Sequence, residues 1–172
     1  NTAAPVICKP IEHGAAIVVH SLTKFIGGHG TVIGGCLVDG GNFDWTADPK
    51  RQPLFNEPDM SYGGAKWGEV VPQLTGANVS FAVRARVCLL RDLGAPLAPD
   101  NAWGIIQGLE TAPLRMKQHC FNAEKVVDFL QKNKNVSRVI YPTLHKGKIA
   151  ERSKKYLKGG NGALVGIELK GG

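Results

Sequence analysis

Cysteine is sparse in this chain and nowhere clustered. Cys8, Cys36, Cys88 and Cys120 are spread along 172 residues. No CxxC pair and no Cys/His group with zinc spacing occurs, so no metal is expected. A disulfide framework does not suit a chain of this size with this much core, and the thiols are expected to be reduced, as in a cytoplasmic protein. No apolar run nears the roughly 20 residues that cross a bilayer. Asn1 to Pro10 has neither a basic start nor an apolar core, so no signal peptide is expected there. Internal repeats and low-complexity tracts are missing. Acids are scarce in one stretch: between Lys132 and Lys158 lie nine lysines and arginines, with Glu151 the one acid, and the whole chain carries a formal +7. Tyr141 and Tyr156 are too few aromatics for base stacking there, and no nucleic-acid module is recognisable. That stretch is expected to be a solvated face, with neither nucleic acid nor membrane as a partner.

What is present is enough for a core. The hydrophobic fraction is 43%, too high for a disordered chain. The length allows one domain, or one domain and part of another. Ala16–His20 and Val32–Val38 are short β-branched runs that predict buried strands. Residues 42–64, rich in Pro, Asp, Asn and Gly, predict a long loop, and Glu69–Leu74 a helical turn. Ser80–Leu93 has helical spacing and Gly94 ends it. Pro99-Asp100 offers a start for a helix to about Leu109. Leu114–Lys132 predicts another helix, with Met116, Phe121, Ala123, Val126, Val127, Phe129 and Leu130 on apolar positions. Val136–Tyr141 then predicts a strand, Ile149–Leu157 a helix and Ala163–Leu169 a strand, a small α+β unit from about Leu114 onward.

The chemistry gathers between Ala16 and Gly35. The run Ile17-Val18-Val19 leads into His20-Ser21-Leu22-Thr23-Lys24, and a glycine-rich loop follows at Gly27-Gly28-His29-Gly30. Lys24, close to two hydroxyls at the end of a buried strand, is an expensive place for an ammonium group, which tends to lose its proton there. A neutral lysine is a nucleophile, suited to a Schiff base with a carbonyl or with pyridoxal phosphate. The same four residues, Ser21 to Lys24, also fit the S-x-x-K pattern of serine acyl-transferases, with Ser21 as nucleophile and Lys24 as its base. Glycines within three residues of Lys24 argue for a loop where that pattern needs a helix. A non-catalytic scaffold is the third possibility. His29 is assigned packing or hydrogen bonding, and Arg115 an ionic pair within a helix. The glycine loop lacks the Gly-Lys-Ser/Thr of a Walker loop. Asp39, Asp44 and Asp48 lack calcium-loop spacing.

Five co-linear landmarks carry a resemblance. They are Asn1-Thr2, His20-Ser21-x-Thr23-Lys24, Arg91-Asp92-Leu93-Gly94, Gln107-Gly108-Leu109-Glu110-Thr111, and Leu114-Arg115-Met116 with His119. Together they resemble the Cys/Met-metabolism family of pyridoxal-phosphate enzymes. The long insertion after Val38, with Tyr62-Gly63-Gly64 and Trp67-Gly68, is most similar to the O-acetylhomoserine sulfhydrylases, or homocysteine synthases, within it. The resemblance implies an α/β fold of the aspartate-aminotransferase type (fold type I). Residues 1–113 would be part of the large cofactor-binding domain and 114–172 the start of a small C-terminal α+β domain. It implies pyridoxal 5′-phosphate as cofactor, Lys24 as its Schiff-base and catalytic lysine, and Ser21 and Thr23 as donors to its phosphate.

The implied reaction is γ-replacement on O-acetyl-L-homoserine by sulfide or a thiol, giving homocysteine or methionine. A γ-synthase or γ-lyase activity of the same family is the alternative. A cytoplasmic homotetramer is the implied assembly. In the family an aspartate precedes the Asn-Thr landmark, and the substrate-carboxylate arginine would lie past Gly172. The chain is therefore expected to be a middle piece of a longer enzyme, inactive alone.

Overall fold

The computed structural model describes residues 4–171, so the Asn1-Thr2 landmark lies outside the described residues. In chain order the elements are α1 (Ala4–Ile7), β1 (Ile17–Ser21), β2 (Gly35–Asp39), α2 (Pro53–Asn56), α3 (Trp67–Thr75), α4 (Ser80–Arg84) and α5 (Arg91–Leu93). There follow α6 (Pro99–Lys132), β3 (Val136–Ile140), α7 (Gly147–Tyr156) and β4 (Gly166–Leu169). Between α4 and α5 the backbone keeps winding as a π-helix over Ala85–Leu90. Ser80–Leu93 is thus one helical run, and Gly94, at φ 65°, terminates it as expected. No helix among the described residues is long and apolar enough to cross a membrane.

The contacts divide the chain into two compact units. One takes Pro10–Val19 and Cys36–Ala98. The span 42–64, predicted to be a long loop, here contains α2 and a 3-10 turn at Met60–Tyr62. Aromatic burial supplies the order that its composition concealed. Phe55, Trp67 and Val71 form a core, with Trp45, Tyr62 and Phe81 packed on it. The Trp45 and Phe55 rings lie 4.4 Å apart, and Tyr62 meets Trp67 edge-on at 4.8 Å. Asp59 ties these parts together: its carboxylate accepts from the Trp67 indole N–H at 2.9 Å and from the Ser61 N–H at 3.1 Å. The Trp67 bond first, and the Ser61 bond less strongly, hold that carboxyl below its ordinary pKa against the opposing effect of burial.

The second unit takes the described part of Asn1–Lys9, with His20–Gly35 and Pro99–Gly172. Its spine is α6, 34 residues long. The sequence predicts two helices here, ending near Leu109 and restarting at Leu114. The structure has one, running through Pro113. Proline removes the bond its N–H would make to Leu109 and costs about 3 kcal/mol in a helix interior. The buried stripe Ile105, Gly108, Ala112, Met116, Cys120, Ala123 and Val127 keeps 3-4 spacing straight across that point. Burial on both sides of Pro113 therefore holds the two halves in line. The stripe also corrects the apolar face: Phe121, Val126 and Phe129 are 54%, 48% and 66% exposed.

Ile7, Met116 and Cys120 make one cluster of this unit, and Ala123, Val127 and Tyr141 another. Tyr141 donates its hydroxyl to the Gly162 carbonyl at 2.8 Å, and burial pushes its phenol up to about 12. β3 pairs antiparallel with β4, Val139 opposite Ile167 and Ile140 opposite Gly166. β1 and β2 form a second two-stranded sheet. Their flanking bonds, Leu22 N–H to Gly34 and Gly40 N–H to Ala16, run them antiparallel.

Candidate functional site

β1 ends at Ser21, and residues 22–27 leave it as a tight turn. Two backbone bonds close the turn: Gly27 N–H reaches the Leu22 carbonyl at 2.8 Å and Gly28 N–H the Lys24 carbonyl at 2.7 Å. The base of the turn is pinned to the start of β2. Leu22 N–H and Thr23 N–H both donate to the Gly34 carbonyl, at 2.8 and 3.3 Å. Thr23 Oγ1 accepts from Gly34 N–H at 3.0 Å and donates to Gly34 O at 3.3 Å. Glycine is required at position 28, where φ is +75° and the Arg115 guanidinium occupies the space of a Cβ.

Each candidate side chain has a distinct setting. Ser21 is half-buried at the strand end, and Thr23 is half-buried with its hydroxyl on Gly34. Lys24 is exposed. The burial expected of it is not found, because the strand stops at Ser21 and Lys24 projects from the turn beyond. The cavity of about 170 Å³ beside Ile7, Pro142 and Leu157 contains none of the three, nor does the one of about 440 Å³ along β3. His29 does what the sequence suggested: its Nδ1 lies 2.7 Å from the Gly27 carbonyl. A carbonyl only accepts, so Nδ1 is the donor in this bond.

His20 is the unexpected member. It is 8% exposed, and its Nδ1 has no hydrogen-bond partner among the described residues. Burial holds the imidazole below its ordinary value. A lowered folded pKa means the unfolded chain binds the proton more readily. Stability from this group is therefore fully present above about pH 6.5 and is lost as pH falls through the folded value. The urea midpoint should drop between pH 7.5 and pH 5, and His20→Gln should flatten that drop. An equal slope in the variant would show that His20 is not its source.

Arg115 departs from the ionic pair expected of it. Its four hydrogen bonds all go to neutral oxygens: Phe25 O at 2.8 Å, Ile26 O at 3.0 Å, Gly108 O at 2.6 Å and Thr111 Oγ1 at 3.0 Å. Two of them hold the turn that carries Lys24. The sequence did contain a signal for this, the 3-4 spacing of Asn101, Gly104, Gly108, Thr111 and Arg115 along one helix face. Among the described residues no group of three His, Cys, Asp or Glu could hold a metal ion, and none of the four cysteines is in a disulfide.

Residues 1–172 match the family described as Cys/Met metabolism PLP-dependent enzyme. An O-acetyl-L-homoserine sulfhydrylase of Leptospira meyeri is 50% identical over 98% of this chain and 39% of its own length. A homocysteine synthase of Schizosaccharomyces pombe is 45% identical over 96% of the chain and 38% of its own length. A crystal structure from Campylobacter jejuni, described as an O-acetylhomoserine (thiol)-lyase with an N′-pyridoxyl-lysine-5′-monophosphate, superposes with a TM-score of 0.85. It is 37% identical, and the match covers 98% of this chain and 40% of that one. The chain thus spans about two fifths of the length of the relatives it matches.

Proposed function

Because the chain belongs to the Cys/Met metabolism family of PLP-dependent enzymes and has their type I fold, we propose that Lys24 is the lysine that joins the cofactor. The protein it is part of would exchange the γ-substituent of O-acetyl-L-homoserine. In this reading acetate leaves the γ-carbon, sulfide or a thiol adds there, and the product is homocysteine or methionine. The observation that carries it is the 50% identity to a sulfhydrylase over nearly the whole chain. The reading includes a division of the protein at residues 113 and 114 into a large and a small domain, within α6. It also includes a cytoplasmic homotetramer as the working assembly.

The donor set suits the cofactor. Lys24 offers a primary amine in reach of solvent, and Ser21 a neutral hydroxyl of the kind that binds a phosphate oxygen. Thr23 is already committed to Gly34, but the bond it donates is the longer one, at 3.3 Å. An anionic acceptor would take that proton over while the bond accepted from Gly34 N–H kept the side chain in place. Pyridoxal 5′-phosphate, when bound, supplies the sink for charge developed at the substrate's α-carbon. Lys24 would hold the cofactor through its side-chain nitrogen, joined to the aldehyde carbon with loss of water. Once displaced by the incoming amino acid, its amine would take the α-proton and move protons at the β-carbon. Gly28, whose N–H bonds the Lys24 carbonyl at 2.7 Å, has a φ of +75° that glycine adopts without strain.

The test is chemical. The full-length protein, loaded with pyridoxal 5′-phosphate and reduced with borohydride, should carry the pyridoxyl phosphate mass on the peptide containing Lys24. In the loaded protein left unreduced, acetate release from O-acetyl-L-homoserine should depend on sulfide. A label on another lysine would remove Lys24 from the mechanism. Acetate release without sulfide would favour a lyase.

A further inference from the structure

We propose that Arg115 is a positioning residue for Lys24, clamping from α6 the turn that carries it. This rests on the assignment of Lys24 made above. The turn and the strand after it lie along one face of α6. Asn101 Nδ2 donates to the Ile33 carbonyl at 3.1 Å. A Cβ on Gly104 would sit 2.6 Å from a Val32 methyl, and one on Gly108 would sit 2.8 Å from the Gly27 carbonyl carbon. Two turns further on, the Arg115 fork closes on the Phe25 and Ile26 carbonyls. These positions recur every three or four residues, so the helix is a template for residues 25–33.

Arg115 carries the charge in this template. A guanidinium keeps its proton at any working pH and presents donors in a fixed plane. Here it spans two successive carbonyls of the turn, is tied back to Gly108 O, and is oriented by Thr111 Oγ1. Bonds from a charged donor are the stronger class. Phe25 is the residue next to Lys24, so the clamp acts one peptide from the lysine. Its ring also meets the His119 ring edge-on, at 5.5 Å and 75°, from the same helix. Lysine in place of Arg115 would keep the charge and lose the plane, so it should hold at most one of the carbonyls.

The experiment uses the full-length protein with Arg115→Ala, Arg115→Lys and the milder Thr111→Val. In the cofactor-free protein, amide hydrogen exchange over residues 22–34 should accelerate about tenfold in Arg115→Ala. It should accelerate less in Arg115→Lys and least in Thr111→Val, with the amides of α3 unchanged. In the loaded protein, the pH midpoint of the lysine-bound chromophore should move by about half a unit. The kcat should fall about tenfold with KM for the amino acid held. Unchanged exchange over 22–34 in Arg115→Ala would overturn the proposal, as would a lower thermal midpoint with the chromophore titration and kcat intact. If the wild type takes no pyridoxyl label on Lys24, the functional reading fails, and the exchange measurement still decides whether Arg115 holds the turn.

Discussion

Lys24→Ala in the full-length protein is expected to lose sulfide-dependent acetate release and to take no borohydride-fixed pyridoxyl label at this position. Under the proposed assignment two roles would be removed at once: the bond to the cofactor and the base that works on the substrate. Proton transfer by a placed side chain alone contributes roughly 10²–10⁴-fold, so kcat should fall at least that far. Lys24→Arg is the sharper comparison. Arginine is as long and as positive, and a lysine that merely attracted an anionic phosphate would be replaced by it with modest loss. A guanidinium does not deprotonate, so it can neither attack a carbonyl carbon nor accept the α-proton. Both variants should therefore be equally inactive. They should also unfold at the wild-type urea concentration, because Lys24 is exposed and surface changes away from special contacts cost little. Steady-state acetate release would settle the point: activity in Lys24→Arg within tenfold of wild type would reduce Lys24 to a counter-ion.

The order of elements was legible because period and turn chemistry report it locally. β1, β2, β3, α7 and β4 all start within three residues of their predicted starts. Gly94 ends its helix for the reason given, an unhindered left-handed backbone. What was not legible depends on which neighbour arrives. The buried stripe of α6 and the row Phe121, Val126 and Phe129 are both apolar at helical spacing, and nothing local says which turns inward. Pro113 looked like a boundary because its cost is local, while the burial that outweighs it is spread from Ile105 to Val127. The segment 42–64 looked unstructured because its glycines and prolines outnumber its aromatics. Trp45 and Phe55 order it by packing with Trp67 and Phe81 outside the segment.

The site shows the same division. The landmark Ser21-Leu22-Thr23-Lys24 was visible, since hydroxyl, amine and glycine loop are written consecutively. The exposure of Lys24 was not, because the buried strands expected at β1 and β2 are largely open: only His20 of β1 is buried, and Val19 is 66% exposed. Arg115 was visible as a landmark and misjudged in role. An arginine is expected to find a carboxylate, and its partners here are backbone carbonyls, which no residue letter announces. Those of Phe25 and Ile26 are about 90 residues away in the chain, and only the fold brings them to the helix.

Gly108→Ala should therefore be strongly damaging, because the added methyl meets backbone. In an isolated helix the change would help, since alanine is favoured over glycine by about 1 kcal/mol. Here the new Cβ would lie 2.8 Å from both the carbonyl carbon and the Cα of Gly27, and inside the radius of its carbonyl oxygen. Those atoms are backbone, and they cannot rotate aside. Gly27 is itself fixed by its N–H to the Leu22 carbonyl at 2.8 Å, so the strain passes directly into the turn bearing Lys24. Overpacking costs about 1–3 kcal/mol where side chains can yield, and more is expected where they cannot. The net loss should sit at the top of that range even after the helical gain. Gly104→Ala is the matched control, with a Cβ meeting only a Val32 methyl at 2.6 Å, the end of a side chain that can shift. Urea midpoints should rank wild type, Gly104→Ala, then Gly108→Ala, and the label on Lys24 should weaken in the same order. A Gly108→Ala protein as stable as the wild type would mean that the turn does not rest on the helix, and the template described for α6 would fall with it.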